Sequence, residues 1–180
     1  MANNSAMRRL KLDAIDRLIL ENLQADGRMT NVELARRVGI SAPPCLRRVR
    51  ALEEAGLIRG YHAELASEPL GFGVTVFAQV GLASQAEGDL QSFERLVATW
   101  PEVREAHMLA GETDFLLKIV AADWDSYQRF LSARLTSAPN VSHVKSALLL
   151  RVSKYEPGVP LAGRAGGEDA AQPNATVTTS

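Results

Sequence analysis

The 180-residue chain has few of the features that mark secreted, membrane or metal-binding proteins. A single cysteine excludes an intramolecular disulfide and a cysteine-based zinc site. No apolar run reaches the roughly 18 residues of a transmembrane helix, and the N-terminus lacks the apolar segment of a secretory signal. We therefore expect a cytoplasmic protein. Its 46% hydrophobic content suffices for a packed core in one ordinary domain or two small ones.

Motifs that hold phosphates, metals or nucleophiles are also missing. The chain has no P-loop, no nucleophile elbow and no H-E-x-x-H sequence. His62, His107 and His143 lie far apart and do not have the spacing of metal ligands. We therefore expect no catalytic residues, no metal and no cofactor.

Charge is distributed unevenly along the chain. Residues 1–62 contain 11 Lys and Arg against 7 Asp and Glu, a net charge of +4. Residues 63–180 contain 9 against 14, a net charge of -5. This asymmetry indicates that only the first third contacts a polyanion such as double-stranded DNA. A solvated charged surface explains the same counts, so charge alone does not decide between the two.

Cap residues and apolar periodicity predict three helices in the first sixty residues. The first begins at Asp13 and extends to about residue 25. The second begins with TNVE, in which Thr30 and Glu33 form a capping box, and ends at Gly39. A third helix follows this glycine turn, which predicts a helix-turn-helix domain over residues 1–62.

The third helix opens with SAPP and continues to residue 55. Ser41 is its predicted N-cap, and the prolines fall in the first turn, where N–H groups have no intrahelical partner. In a helix-turn-helix this helix enters the major groove. The predicted DNA-contacting residues are Asn31, Ser41, Ala42, Pro43, Pro44, Arg47, Arg48 and Arg50. For Arg48 two roles stay open, a phosphate contact and packing within the domain. A small helical subdomain with a solvated arginine face is the alternative to DNA binding.

The remaining chain predicts a second domain. Residues 57–65 read as a short strand pair or wing-like linker, and residues 63–73 as a Pro- and Gly-rich linker. Residues 74–156 have the order βαββαβ of a ferredoxin-like fold, so the chain belongs to the α+β class. Apolar residues on both faces of the first and third strands indicate burial against a second copy. Residues 157–180 are small and polar, and we expect a disordered tail.

Several stretches together resemble one family of regulators. LDAIDRLIL, DGR, NVELARRVG, PCLRRVRALEEAGLIRGY and GETDFLLK make residues 12–155 similar to the Lrp/AsnC (leucine-responsive, feast/famine) transcriptional regulators. The resemblance implies a bacterial or archaeal, nucleoid-associated protein with a winged helix-turn-helix and a ferredoxin-like effector domain. It also implies a small effector, usually an amino acid, and homodimers that assemble further, often to octamers. Family members commonly have Thr at position 43 and an acidic or polar residue at position 47. Pro43 and Arg47 therefore put the base preference in question.

The hairpin MLAGETDF is the candidate effector site. Backbone N–H groups near Gly111 can bind an amino-acid carboxylate, and Asp114 can accept from its ammonium group. A plain hairpin whose glycine and aspartate serve the turn explains the same residues. The resemblance places the effector on His107, Leu109, Ala110, Gly111, Glu112 and Asp114, with Leu135, Thr136 and Ala138 of a neighbouring subunit closing the pocket.

An enzyme is the alternative function. Siroheme decarboxylases look similar in architecture, but they need cationic groups for tetrapyrrole carboxylates. Residues 102–122 offer only Arg104, His107 and Lys118 for that purpose.

Overall fold

The computed structural model describes residues 12–161, which fall into two compact units. Of the described residues, the first unit combines 12–63 with 156–161, and the second is Glu64–Tyr155. No helix among the described residues is long and apolar enough to cross a membrane.

Three helices form the first unit: α1 (Ala14–Ala25), α2 (Asn31–Arg37) and α3 (Ala42–Glu54). Their apolar faces meet in one small core because apolar residues recur at helical spacing in each. The fully buried members of this core are Ile19, Leu34, Ala35, Val38, Cys45 and Leu52. The thiol of Cys45 is thus a packing group, and burial raises its pKa.

The helix caps agree only partly with the sequence prediction. Asp13 caps α1 through a complete capping box with Asp16. Thr30 caps α2, since its hydroxyl accepts from the Glu33 N–H at 3.2 Å. The predicted return bond from Glu33 is wrong. Its Oε1 instead accepts from Arg36 and Arg37, each at 3.0 Å, because these side chains lie one turn away on the same helix face.

Of the two alternatives for residues 57–65, the strand pair is wrong, because these residues form no strand, and the linker remains. Two consecutive backbone N–H groups, of Leu57 and Ile58, bond to the Leu52 carbonyl at 3.0 and 3.3 Å. The Tyr61 hydroxyl donates to Glu53 at 3.0 Å. The segment therefore folds back along α3. A short 3₁₀ turn, Glu68–Leu70, lies further along the predicted linker.

The residues predicted as a disordered tail begin with an ordered contact. The Gln24 amide of α1 donates to the Val159 carbonyl and accepts from the Val159 N–H, both at 2.9 Å. Residues 157–161 thus lie against the first unit. Residues 162–180, the rest of the predicted tail, lie outside the described residues.

The second unit has the predicted βαββαβ order. Its elements are β1 (Val74–Leu82), α4 (Glu87–Val97), β2 (Val103–Met108), β3 (Phe115–Ala121), α5 (Trp124–Phe130) and β4 (Val141–Leu148). The four antiparallel strands lie in the order β2-β3-β1-β4. This is the ferredoxin-like arrangement expected from the sequence.

The core of this unit lies between the helices and one face of the sheet. Along β3, Phe115, Leu117, Ile119 and Ala121 are buried and alternate with half-buried residues, as the strand period of two requires. Aromatic side chains contributed by the helices and their flanks complete this core, and they are Phe93, Trp100, Tyr127 and Phe130. The opposite sheet face carries the alternate residues and is covered by neither helix.

Candidate DNA-binding helix and effector hairpin

Ser41 is the N-cap residue of α3, as predicted, but its side chain does not cap the helix. It has the extended backbone of an N-cap, with φ of -76° and ψ of 158°, and makes no capping bond. A capping oxygen accepts from the N–H of the second or third helical residue. In α3 these residues are Pro43 and Pro44, which have no N–H. The expected side-chain bond is therefore wrong, and Ser41 is exposed.

Arg47 and Arg50 occupy the exposed face of α3. Neither forms an ion pair within residues 12–161, in contrast to Arg36, Arg37 and Arg48. The two side chains line a shallow groove of about 410 Å³ along the helix. Its other lining residues are Pro43, Leu46, Ala51 and Glu54.

Arg48, the third arginine of α3, is held inside the unit. Its Nη1 lies 2.7 Å from Oδ2 of Asp13 and 2.7 Å from Oδ1 of Asp16. The Asp16 N–H and the Arg48 guanidinium together hold the pKa of the Asp13 carboxyl below its usual range. Of the two roles left open for Arg48, this geometry supports packing within the domain. The sequence offered one signal for it, which was a pair of carboxylates in the first turn of α1.

Asn31, also a predicted DNA contact, joins the two helices of the motif. Its amide donates to the Ala42 carbonyl at 2.8 Å, which fixes the start of α3 against the start of α2. The Asn31 Oδ1 is buried and accepts no hydrogen bond from any described residue. Ala42 and Pro44 are half-buried, whereas Pro43 is exposed. The predicted DNA-contacting residues that are exposed are therefore Ser41, Pro43, Arg47 and Arg50.

The loop of the predicted hairpin MLAGETDF lies between β2 and β3. It spans residues 109–114 and is closed by the Leu109 N–H, which donates to the Asp114 carbonyl at 2.8 Å. Gly111 has φ of 149°, which residues with side chains rarely adopt. Leu109, Ala110, Gly111 and Glu112 are all exposed.

His107 lies on the uncovered sheet face beside this loop. Its ring nitrogen is 3.3 Å from Glu105, which also accepts from Lys118 at 2.8 Å. The Lys118 ammonium, with His107, lowers the pKa of the Glu105 carboxyl. Within residues 12–161 no group of His, Cys, Asp and Glu side chains is suited to hold a metal ion.

Asp114 does not have the open position expected of a ligand acceptor. It is only 8% exposed. Its Oδ2 accepts from the Leu82 N–H at 2.7 Å and its Oδ1 from the Gln85 amide at 2.8 Å. Both carboxylate oxygens thus already have protein donors, and the side chain ties the start of β3 to the end of β1.

The residues expected to close the pocket do not share one surface. Leu135 is fully buried and Ala138 is 8% exposed, so both belong to the core of their own protomer. Thr136 is exposed, although its hydroxyl donates to the Leu131 carbonyl at 3.0 Å. A π-helical turn, Leu131–Leu135, ends α5 and turns Leu135 inward. The apolar periodicity of α5 did not reveal this turn.

Comparison with known proteins identifies the family. Residues 12–59 match the model of a winged helix-turn-helix DNA-binding domain, and residues 75–159 match that of the Lrp/AsnC ligand binding domain. The leucine-responsive regulatory protein of Rhizobium meliloti is 55% identical over 146 residues, covering 81% of this chain and 94% of that protein. The chain belongs to the Lrp/AsnC family. It is a DNA-binding transcriptional regulator.

Other relatives of this Lrp/AsnC regulator agree. The Bkd operon transcriptional regulator of Pseudomonas aeruginosa is 40% identical, with 84% of this chain and 99% of that protein covered. A transcriptional regulator of Neisseria meningitidis, solved in complex with L-Met, superposes with a TM-score of 0.79 at 38% identity. That match covers 84% of this chain and 97% of the other. These relatives are named as regulators, and the siroheme decarboxylase alternative finds no support among them.

Proposed function

We propose that this regulator reads its operator with Arg47 and Arg50, and that an amino acid at the β2–β3 loop controls its DNA binding or assembly. The observation that supports this proposal most directly is the exposed face of α3, on which Arg47 and Arg50 form no ion pair within residues 12–161. We place this activity in the bacterial cytoplasm, where chromosomal operators are.

The distribution of ion pairs supports α3 as the DNA-contacting element. Among the arginines of α2 and α3, Arg36 and Arg37 bind Glu33, and Arg48 binds two aspartates. Of these five arginines, Arg47 and Arg50 alone form no ion pair within residues 12–161 and can offer all their donors to DNA. An arginine can contact guanine through two hydrogen bonds or can bind a phosphate. Pro43, in the same groove, offers an apolar surface suited to a thymine methyl group.

Salt-dependent DNA binding tests this proposal. We expect Arg47→Ala and Arg50→Ala to weaken operator binding. Loss of a phosphate contact weakens all sequences and reduces the salt slope by about 1, whereas loss of a base contact relaxes specificity at one position. Arg95→Ala, on α4 of the second unit, is the matched control and should bind normally. Unchanged affinity and preference in both α3 variants would refute the docking face.

The exposed loop supports an effector site completed by another subunit. His107, Leu109, Ala110, Gly111, Glu112 and Thr136 are exposed and remain in the proposed site. Leu109 and Ala110 favour an apolar side chain on the ligand, and the exposed Gly111 allows close approach to the backbone. The Neisseria meningitidis relative was solved with L-Met, which makes an amino acid the first class to test.

The uncovered sheet face supports a homodimer. Phe77 on β1 and Leu116 and Val120 on β3 are half-buried there, on the side opposite the helices. A two-fold dimer would match a palindromic operator whose half-sites lie about 34–36 Å apart, or multiples of that. Assembly beyond the dimer, to an octamer, is the larger state we propose. Analytical ultracentrifugation with and without amino acids measures both.

A thermal-shift panel against the twenty amino acids tests the effector. A ligand at 100 times its Kd stabilises a folded protein by about 2.7 kcal/mol. We expect one or a few apolar amino acids to raise Tm, and Leu109→Ala or Glu112→Ala to reduce that shift. Glu87→Ala, at the start of α4, is the control and should keep it. If no amino acid raises Tm, the proposed effector class is wrong.

A further inference from the structure

We infer that Arg48 is a positioning residue, which locks the recognition helix α3 to the N-terminus of α1 and makes no contact with DNA phosphate. This inference rests on the proposed function, because it requires that α3 is the helix that reads DNA.

Each carboxylate oxygen of Asp13 and Asp16 has a donor. One oxygen of each aspartate accepts a backbone N–H of the α1 capping box, at 2.8 Å for Asp13 and 3.2 Å for Asp16. The other oxygen of each accepts from Arg48 Nη1 at 2.7 Å. Nη1 has two hydrogens, and each has one acceptor. Both hydrogens of Arg48 Nη1 are therefore used within the unit.

Burial separates the Arg48–Asp16 pair from the surface ion pairs of the same unit. The side chains of Arg48 and Asp16 are 32% and 12% exposed, whereas those of Arg37 and Glu33 are 44% and 38% exposed. Asp13, the other partner of Arg48, is 48% exposed and is as open as the surface pairs. Ion pairs at exposed sites are screened and loosely held, whereas a partly desolvated pair keeps its geometry. The Arg48–Asp16 pair thus has the properties of a fixed link between α1 and α3.

The charge of the cluster disfavours a phosphate contact. Two carboxylates and one guanidinium sum to -1, so this cluster adds no net positive charge for a phosphate to meet. Arg47 and Arg50 each present +1 and form no ion pair within residues 12–161, whereas Arg48 pairs with two carboxylates. The positive charge that DNA meets on α3 therefore comes from these two neighbours.

The link sets the direction in which the neighbouring arginines point. Arg48 holds the rotation of α3 about its own axis together with the buried Cys45 and Leu52 and the Asn31–Ala42 bond. Side-chain tips lie roughly 6 Å from a helix axis, so a rotation of about 20° would move them by about 2 Å. Such a displacement breaks a hydrogen bond to a base edge but leaves a general attraction to DNA. Loss of Arg48 should therefore reduce specific binding more than nonspecific binding.

The decisive experiment compares Arg48→Gln with Arg47→Gln, since each removes one positive charge from the same helix. Binding of the full chain to its selected operator and to random duplex DNA is measured over a KCl series. The temperature is one at which circular dichroism shows every variant folded. For Arg48→Gln we expect at least a tenfold loss on the operator, an unchanged salt slope, and random-DNA affinity within twofold of wild type. A salt slope lower by about 1, or equal weakening on both DNAs, would overturn the inference.

Removing an acidic partner of Arg48 should change operator affinity in opposite directions for the two roles, which are phosphate contact and positioning of α3. Asp16→Asn deletes a negative charge near DNA, so it should strengthen operator binding if Arg48 is a phosphate contact released for DNA. If Arg48 positions α3, Asp16→Asn weakens operator binding, and the double variant with Arg48→Gln is no weaker than Arg48→Gln alone. A gain on the operator, or additive losses, would contradict positioning.

Further variants distinguish a failure of the proposed function from a failure of the positioning role of Arg48. If Arg48→Gln does not fold, Asp13→Asn replaces it, because it retains Arg48 and loosens only one of its two partners. A failure of the proposed function would appear in Arg47→Gln and Arg50→Gln, which would then bind the operator normally. A failure of the positioning role would appear in the Arg48 variant alone, through a reduced salt slope.

Discussion

Replacing Asp114 separates a structural role from ligand binding. The carboxylate accepts two hydrogen bonds, from the backbone of Leu82 and from the Gln85 side chain. In Asp114→Ala the buried Leu82 N–H loses its acceptor. A hydrogen bond to a charged group contributes about 1.5–3 kcal/mol, and an unpaired buried donor adds to that cost. We therefore expect Asp114→Ala to lower the free energy of unfolding of the second unit by about 3 kcal/mol.

Tryptophan fluorescence measures this loss in the right part of the molecule. Both tryptophans, Trp100 and Trp124, lie in the second unit, so their emission does not report on the DNA-binding unit. For a unit of this size 1 kcal/mol corresponds to roughly 4–8 °C in Tm. The expected shift for Asp114→Ala is thus a decrease of about 12–24 °C. A decrease of less than about 3 °C would refute the structural role.

Asp114→Asn is the matched control. The asparagine oxygen can still accept from Leu82, and the Gln85 amide can rotate to accept from the new NH₂ group. We expect a loss of only about 1 kcal/mol, because both contacts keep a partner. Since the carboxylate charge then serves no ligand, the effector-induced Tm shift should remain. Loss of that shift at a nearly unchanged Tm would instead identify Asp114 as the acceptor for the ligand ammonium.

Two further predictions concern the first unit. Gly158 has φ of 98°, and an added Cβ would overlap the Gln24 side chain. Gly158→Ala should therefore release residues 157–161 from the first unit. The measured result would be faster hydrogen exchange at the Val159 N–H. Gly88→Ala, whose Cβ meets open space, is its control, and equal protection in both variants would contradict the contact. Burial and the bond to Glu53 raise the pKa of Tyr61 to about 12, so its ultraviolet titration should come late and move earlier in Glu53→Gln. The stability from this raised pKa is present below about pH 10 and is lost as pH rises through about 12. Titration of Tyr61 near pH 10 in both proteins would refute the assignment.

Much of the fold was predictable because local signals agree with the tertiary structure. Asp13 and Thr30 cap helices at the expected positions, and the strand pattern of residues 74–148 gives the observed order. The local predictions were wrong where one side chain had two possible sets of hydrogen-bond partners. Glu33 fitted a capping box, but two arginines one turn away compete for its carboxylate. Local sequence propensity does not show which of these competing hydrogen bonds the Glu33 carboxylate will form.

The candidate site was less predictable because burial depends on the tertiary structure. Asp114 in a glycine-containing loop has the pattern of an exposed turn residue, yet the end of β1 covers it. Leu135 was predicted to face a pocket, but a single π-helical turn directs it into the core. For Arg48 the sequence left two roles open, a phosphate contact and packing within the domain. Only the position of α1 shows that it has two carboxylate partners.

The two prolines of α3 leave few backbone N–H groups at its start. The first N–H groups of a helix are a ready site for phosphate. In the first turn of α3 only Ala42 has such a group, because Pro43 and Pro44 have none. The same absence leaves the Ser41 hydroxyl without its capping partner. In the proposed docking we therefore expect the DNA contacts of this helix to come mainly from the side chains of Ser41, Arg47 and Arg50. The proposed link through Arg48 should then matter more in this helix than in one whose backbone N–H groups hold phosphate.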